Sequence, residues 1–238
     1  MPKFFVHPDQ INNGQIILSG DSAHHLVNVQ RVRLNEKLLV GDGVVFDYRC
    51  FVAEIFLKPP SVLLKIICRE KNKTEPQAKV TLYQSLLKGS SMDTAVQKCV
   101  EGGVHAIVPV VSARVEAPPP DKNKLARLNR ISESAAGQSM RGIVPRIHPA
   151  VTFYEAINNS HEIFLAAYEN AEDPTVSGKL NAVRNIKDIG LMVGPEGGFS
   201  DDEAKIIKDF AVTLGPRVLR AETAGLYALA QIFCMLGE

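Results

Sequence analysis

From Lys79 onward, short apolar runs alternate with segments of helical periodicity, and this alternation sets the predicted fold class. Strands are predicted at 80–83, 106–111, 163–167, 189–193 and 212–214, and helices at 92–101, 122–139, 201–210 and the C-terminal segment. Such alternation is typical of an α/β domain with a mainly parallel sheet. In the last helix, the i, i+3, i+4, i+7 spacing predicts a core-facing stripe of Leu226, Leu229, Ala230 and Phe233.

The N-terminal part of the chain follows a different pattern, with short apolar runs separated by turn signals. These runs lie at 4–6, 16–18, 38–40, 44–46, 51–57 and 62–68. Many short strands with close turns predict a small β-barrel. The polar stretch 69–79, REKNKTEPQAK, is predicted to link this barrel to the α/β part.

The charge of the chain is nearly balanced, with 27 Lys+Arg against 26 Asp+Glu, which excludes a uniformly basic nucleic-acid binder. The distribution is uneven, however. Residues 110–149 hold seven bases and three acids, or +4, whereas residues 160–213 hold five bases and ten acids, or −5. A local basic face therefore remains open.

The N-terminus lacks a secretory h-region, and no apolar segment has the length of a membrane helix. The four cysteines are scattered without a CxxC pair. We therefore expect a cytoplasmic protein without a membrane anchor and without a metal site.

Two glycine-bearing loops follow predicted strands and precede predicted helices: GPEGGFS at 194–200 and LGPRVLRAETA at 214–224. Open parallel sheets bind ligands beyond the carboxyl ends of their strands. Neither loop has P-loop or GxGxxG spacing. Each alone is also typical of an ordinary strand-to-helix turn, in which Glu222 or Thr223 caps the helix. Together, at neighbouring strand ends, they favour a ligand site.

Basic residues indicate where a nucleic acid could bind. A basic helix containing Arg127 and Arg130 ends at QSMRG, 138–142, where Arg141 either faces a phosphate or complements the helix dipole. Alternation in 29–34 predicts a strand with Arg31 and Arg33 on one face, which either contacts an RNA backbone or is ordinary solvated surface. The pair at 24–25, HH, lacks the partners of a metal site.

The motifs together resemble those of the RsmE family, bacterial 16S ribosomal RNA uridine-N3 methyltransferases of the SPOUT superfamily. The resemblance is carried by HHLVNVQRVR at 24–33, KG at 88–89, QSMR at 138–141, GPEGGF at 194–199 and LGPRVLRAETA at 214–224. It implies a PUA-like β-barrel RNA-binding domain at 1–72 and an α/β SPOUT methyltransferase domain with a deep trefoil knot at 73–238. Two positions depart from the family pattern: Met140 stands where glycine is usual, and Gly137 where glutamate is usual.

The resemblance also implies S-adenosylmethionine as cofactor, a homodimer, and 16S ribosomal RNA within the small subunit, in its decoding region, as substrate. It places the cofactor among Leu165, Ala166, Val193, Gly194, Pro195, Glu196, Gly197, Gly198, Leu214, Gly215, Val218, Leu219, Arg220, Thr223 and Ala224. The expected RNA contacts are Arg31, Arg33, Lys88, Arg127, Arg130, Gln138 and Arg141. In the last helix, Tyr227, Gln231 or Phe233 either meets a second protomer or packs in the core.

The expected chemistry requires that uracil N3 lose its proton. An arginine can stabilise the developing uracil anion without acting as a base. Arg220 and Arg141 are the catalytic candidates, and Glu222 either accepts the proton or orients an arginine. Two alternatives remain: a SPOUT methyltransferase acting on a ribose 2′-hydroxyl or on tRNA, and a non-catalytic RNA-binding protein.

Overall fold

A computed structural model describes residues 3–181, 183 and 185–238 of the chain. The chain forms two compact units. The first contains the chain up to Glu75 together with Ala136–Val144, and the second contains Pro76–Ala135 together with Pro145–Glu238. The chain therefore returns to the first unit at Ala136–Val144. The predicted domains, 1–72 and 73–238, do not include this return.

The first unit contains a six-stranded, mostly antiparallel sheet of order β1-β4-β5-β6-β3-β2, in which only β1 and β4 pair in parallel. Its strands are β1 Phe4–Phe5, β2 Ile11–Asn12, β3 Gln15–Leu18, β4 Lys37–Gly41, β5 Phe46–Leu57 and β6 Pro60–Lys71. Runs 44–46 and 51–57 thus contribute to one long strand. Because β6 extends to Lys71, the connection between the sheets is shorter than predicted and spans residues 72–78.

The strand predicted at 29–34 is wrong. Helix α1 (Gly20–His24) and a π-helical turn (His25–Val29) precede it, and residues 30–34 have an irregular backbone in which Arg31 has a φ of 52°. Leu26 and Val32 are both buried in the core of this unit, and the Val32 N–H donates to the Leu26 carbonyl. Burying these two side chains together requires a compact turn, so Arg31 and Arg33 do not share a strand face.

The second unit contains a seven-stranded sheet whose pairs are all parallel, which confirms the predicted α/β class. The order is β10-β8-β7-β12-β11-β13, with β9 beside β8. Its strands are β7 Lys79–Ser85, β8 Ala106–Val111, β9 Arg146–Ile147, β10 Val151–Thr152, β11 Ile163–Ala167, β12 Asp188–Val193 and β13 Ala211–Val212. The last strand therefore ends two residues earlier than predicted.

The further helices are α2 Ser91–Glu101, α3 Lys122–Gln138, α4 Phe153–Ile157, α5 Val176–Leu180, α6 Asp201–Ile207 and α7 Ala221–Leu236. Helix α6 begins with a capping box, because Ser200 and Glu203 satisfy each other's backbone N–H groups. The predicted cap of α7 is wrong: Arg220 is its N-cap residue and makes no side-chain cap. No helix in the described ranges is long and apolar enough to cross a membrane.

The predicted apolar stripe of α7 is only partly buried. Leu229 and Phe233 lie in the core, whereas Leu226 is half-buried and Ala230 is exposed. On the outer side of the same helix, Tyr227 is also exposed. The apolar character of α7 therefore exceeds what its own unit covers.

Candidate functional site

A cavity of about 430 Å³ lies in the second unit, at the carboxyl ends of β11, β12 and β13. Ligand sites typically occupy about 300–1,000 Å³. Its walls are Ala167 at the end of β11, Val193 at the end of β12, parts of the loops 194–198 and 213–219, and the first turn of α7. The two glycine-bearing loops singled out in the sequence therefore line one cavity.

Most of the predicted cofactor residues line this cavity: Val193, Gly194, Pro195, Glu196, Gly198, Leu214, Gly215, Val218, Leu219, Arg220 and Ala224. Leu165 and Ala166 do not, because they are fully buried inside β11, two residues and one residue, respectively, before the strand end that reaches the cavity. Gly197 and Thr223 also lie outside the lining. The N–H of Thr223 donates to the Arg220 carbonyl in the first turn of α7.

The backbone of the first loop requires glycine at Gly198, which has a φ of 68°. A Cβ at this position would also lie 2.6 Å from Oε1 of Glu169. In the second loop, Gly215 has a φ of 110°, with open space around the position of a Cβ. Both loops therefore turn in the left-handed region that side chains disfavour.

Glu196 ties the first loop to the end of β7, because its carboxylate accepts the Lys88 N–H at 2.8 Å. The Lys88 ammonium in turn lies 2.5 Å from Glu116, and hydrogen bonding to that carboxylate raises the pKa of Lys88. The predicted RNA contact Lys88 therefore lies beside the cavity wall with its charge already partnered.

Two further contacts hold the same loop against the segment after β8. Arg114 donates to the Gly197 carbonyl at 3.3 Å and lies 3.4 Å from Asp201. The buried carboxylate of Glu203 accepts the Ala113 N–H at 2.7 Å. Since unpaired buried carboxylates are unfavourable, this hydrogen bond fixes the start of α6 firmly.

Arg220 and Glu222, two of the predicted catalytic residues, both line the cavity. The Arg220 side chain is 87% exposed, and its Nη1 lies 3.9 Å from Oε1 of Glu222. Glu222 is 17% exposed and lies in the first turn of α7, where the helix dipole favours a negative charge. The arrangement presents an accessible cation to a ligand, with a carboxylate behind it.

Arg141, the third predicted catalytic residue, lies in the first unit, where it forms an ion pair with Glu75. Its side chain is 4% exposed, and its Nη2 and Nε lie 2.6 and 3.2 Å from the Glu75 carboxylate. That carboxylate also accepts the N–H groups of Gly142 and Ile143. Burial by itself raises the pKa of Glu75, but Arg141 and the two amides outweigh burial and hold this pKa below its ordinary value. The guanidinium for which catalytic and RNA-contacting roles were predicted is therefore buried and paired with Glu75.

The two departures from the family pattern have structural counterparts in the first unit. Met140 has a φ of 58°, a conformation in which glycine is unstrained. A Cβ on Gly137 would overlap the carbonyl oxygen of Lys3, whose N–H donates to the Gly137 carbonyl. In this chain, therefore, the usual glutamate at 137 does not fit unless Lys3 moves.

The other predicted RNA contacts are distributed over both units. Arg31, Arg33 and Gln138 are exposed in the first unit. In the second unit, Arg127 and Arg130 are both exposed, and Arg127 forms an ion pair with Asp93.

Sequence reasoning missed several cavity residues, namely Ser91, Tyr168, Glu169, Thr213, Arg217 and Ala221. A signal for Glu169 was present, because it follows a predicted strand by two residues, as polar ligand contacts in parallel sheets do. Arg217 lies inside the motif 214–224 but is not among the residues that the resemblance assigns to the cofactor. Within the described residues, no three His, Cys, Asp or Glu side chains group as a metal site would require.

Two family models match the chain. One, described as an RNA methyltransferase domain, covers residues 73–233, and the other, an RNA methyltransferase PUA domain, covers residues 18–67. The ribosomal RNA small subunit methyltransferase E of Bacillus subtilis is 30% identical over 227 residues, which cover 90% of this chain and 88% of that protein. The protein of the same name from Synechocystis is 31% identical over 240 residues, 98% of this chain and 78% of that protein.

A solved structure is similar over nearly the whole chain. It is the crystal structure of a ribosomal RNA small subunit methyltransferase E from Neisseria gonorrhoeae, bound to S-adenosyl methionine. The two chains are 32% identical, with a TM-score of 0.87 and coverage of 98% of this chain and 97% of that one.

Proposed function

Because the chain belongs to the family of ribosomal RNA small subunit methyltransferases E, we propose that it transfers a methyl group from S-adenosylmethionine to N3 of a uridine in 16S ribosomal RNA. The observation that carries this proposal is the cavity at the carboxyl ends of β11, β12 and β13, lined by both glycine-bearing loops. We place the uridine in the decoding region of the small subunit, as the family resemblance implies.

The residues around the cavity fit this cofactor. Apolar side chains of Leu214, Leu219 and Ala224 suit the faces of an adenine ring, and the glycine-rich backbone lets a ligand approach closely. Three carboxylates in the lining, Glu169, Glu196 and Glu222, suit a ligand with cationic groups. When bound, the cofactor supplies an electrophilic methyl group on a sulfonium.

Arg220 and Glu222 carry the proposed catalytic step. Negative charge develops on the uracil ring as the N3 proton leaves, and the exposed Arg220 guanidinium stabilises that charge. Glu222, whose Oε1 lies 3.9 Å from Nη1 of Arg220, orients the guanidinium, and the N3 proton passes to the Glu222 carboxylate or to water as the methyl group leaves the sulfonium for N3. Since Arg141 is enclosed by its pair with Glu75, we leave it out of this step.

We further propose that residues 1–72 form a PUA-like RNA-binding domain and residues 73–238 a SPOUT domain with a trefoil knot. The chain leaves β13 at the edge of the sheet, beyond β11, and α7 then packs on α2, α5, β7 and β12, as a re-crossing chain would. The exposed side of α7, with Tyr227 and Met235, supports a homodimer contact. The proposed RNA contacts with exposed side chains are Arg31, Arg33, Lys88, Arg127, Arg130 and Gln138.

The experiment is methyl transfer from labelled S-adenosylmethionine to undermethylated small ribosomal subunits, with naked 16S RNA and tRNA in parallel. Digested nucleosides are then identified. We expect N3-methyluridine, mainly from assembled subunits. A 2′-O-methylated nucleoside or a labelled tRNA would replace the proposed substrate, and cofactor binding without transfer to any of these RNAs would favour the non-catalytic alternative.

A further inference from the structure

Glu169 is a cavity residue to which the proposed reaction gives no task. It lies two residues beyond the end of β11, is exposed, and lines the cavity. Its Oε1 lies 2.6 Å from the position that a Cβ of Gly198 would take. The carboxylate is therefore folded back over the first glycine-bearing loop, against a backbone that only glycine leaves open.

The three carboxylates of the lining differ in their partners. Glu196 accepts the Lys88 N–H, and Glu222 faces the Arg220 guanidinium. Within the part of the chain that the structure describes, the Glu169 carboxylate has neither a hydrogen bond nor an ion pair. Glu169 thus leaves one uncompensated negative charge at the cavity wall.

A ligand that fills the cavity displaces water from this carboxylate. A desolvated carboxylate without a partner is unfavourable, so a well-bound ligand must place a cation or a donor beside it. We propose that Glu169 is the counter-ion for the cationic end of S-adenosylmethionine, its ammonium or its sulfonium. This inference rests on the proposed function and adds a specificity role: Glu169 favours the charged methyl donor over neutral adenosine derivatives.

The test is equilibrium binding by calorimetry with the full chain and no RNA, at neutral pH. The variants are Glu169→Gln and a matched control, Glu172→Gln, which removes an exposed charge close by in the chain but outside the cavity lining. We expect Glu169→Gln to weaken S-adenosylmethionine binding about tenfold, as for a hydrogen-bonded charge pair. Glu172→Gln leaves the affinity unchanged.

Two further ligands identify the source of the cation. Methylthioadenosine has neither cation, and its affinity should be the same in Glu169→Gln and in the unmodified protein. S-Adenosylhomocysteine has the ammonium but no sulfonium. A weaker affinity for it in Glu169→Gln supports the ammonium as the partner, and an unchanged affinity supports the sulfonium.

Two results would overturn the inference: unchanged S-adenosylmethionine affinity in Glu169→Gln, or an equal loss for methylthioadenosine, which would place Glu169 on the adenosine part. Glu169→Asp, which keeps the charge, should retain more affinity than Glu169→Gln and guards against a purely structural effect, as does an unchanged thermal midpoint. If the unmodified protein binds no S-adenosylmethionine, the proposed function itself fails. If the unmodified protein and Glu169→Gln bind S-adenosylmethionine equally well, this inference is refuted but the proposed function is not.

Discussion

Removing the Glu75 carboxylate should destabilise the protein more than removing its partner. In Glu75→Ala, the Arg141 guanidinium, whose side chain is 4% exposed, loses the carboxylate that pairs with it, and the N–H groups of Gly142 and Ile143 lose their acceptor. In Arg141→Ala, the remaining carboxylate is 25% exposed and keeps the N–H groups of Gly142 and Ile143. Both substitutions break the same ion pair. The guanidinium that Glu75→Ala leaves behind is less exposed than the carboxylate that Arg141→Ala leaves behind, so its charge is the more unfavourable of the two.

The magnitudes follow from this asymmetry. Removing one partner of a buried ion pair costs about 3–5 kcal/mol, and the partial exposure of Glu75 places Glu75→Ala near the lower end, at about 3 kcal/mol. For Arg141→Ala we expect about 1–2 kcal/mol, since the carboxylate stays hydrogen-bonded. The double variant should be less destabilised than the sum of the two single variants, and the difference, the coupling energy, should be about 1–3 kcal/mol.

The pair also makes stability depend on pH. The pKa of Glu75 lies below its ordinary value of 4.5 in the folded state, because Arg141 and two amides outweigh the effect of burial. The ionised Glu75 carboxylate therefore contributes its full stabilisation to the folded state at pH values above 4.5. This stabilisation disappears as the pH falls through the lowered pKa of Glu75. Glu75→Gln removes this part of the acid dependence.

Urea unfolding followed by circular dichroism gives the free energies of the four proteins in the cycle, and hydrogen exchange of residues 139–143 localises the effect. A loss below about 0.5 kcal/mol in Glu75→Ala, the size typical of surface changes, would refute this reasoning, as would a larger loss in Arg141→Ala. An Arg141→Ala protein of unchanged stability that no longer methylates RNA would restore Arg141 to the catalytic set.

Four further outcomes are expected. Arg220→Ala lowers turnover by about 10²–10³ at saturating cofactor while cofactor affinity stays within about threefold in single-turnover assays, with Arg146→Ala, an exposed arginine outside the cavity lining, as the matched control. Gly198→Ala lowers the free energy of unfolding by about 1–3 kcal/mol and weakens cofactor binding, measured by thermal unfolding and calorimetry. RNA affinity falls steeply with salt, and Arg130→Ala reduces the slope of log K against log salt by about 1. Gly137→Glu costs about 1–3 kcal/mol by overpacking, seen in urea unfolding.

The parallel sheet and most of the cavity could be predicted because their signals are local. Apolar strands, a capping box and two glycine-bearing loops each lie within a few consecutive residues, and a parallel sheet brings the ends of such strands together. The same locality explains the misplacement of Leu165 and Ala166. The run 163–167 predicts a strand, but the sequence does not show which of its residues lines the cavity at the end of that strand.

The features that the sequence does not reveal lie where distant parts of the chain meet. The partner of Arg141 is Glu75, 66 positions earlier, and nothing near Arg141 in the sequence indicates it. The alternation at 29–34 was misleading because Val29 and Leu34 are exposed, whereas Leu26 and Val32 enter the core together. A two-residue period predicts a strand only if the apolar positions are the buried ones.

Because loop 194–200 is anchored, the two walls of the cavity lose different amounts of conformational entropy when a ligand binds. Lys88, Arg114 and Ala113 hold that loop through contacts that need no ligand, so the wall is already ordered before a ligand arrives. The opposite wall, 214–219, bends at Gly215 and leaves Val218 82% exposed. The loss of conformational entropy on binding therefore falls mainly on residues 214–219, and substitutions there should alter the dissociation rate of the cofactor more than its association rate.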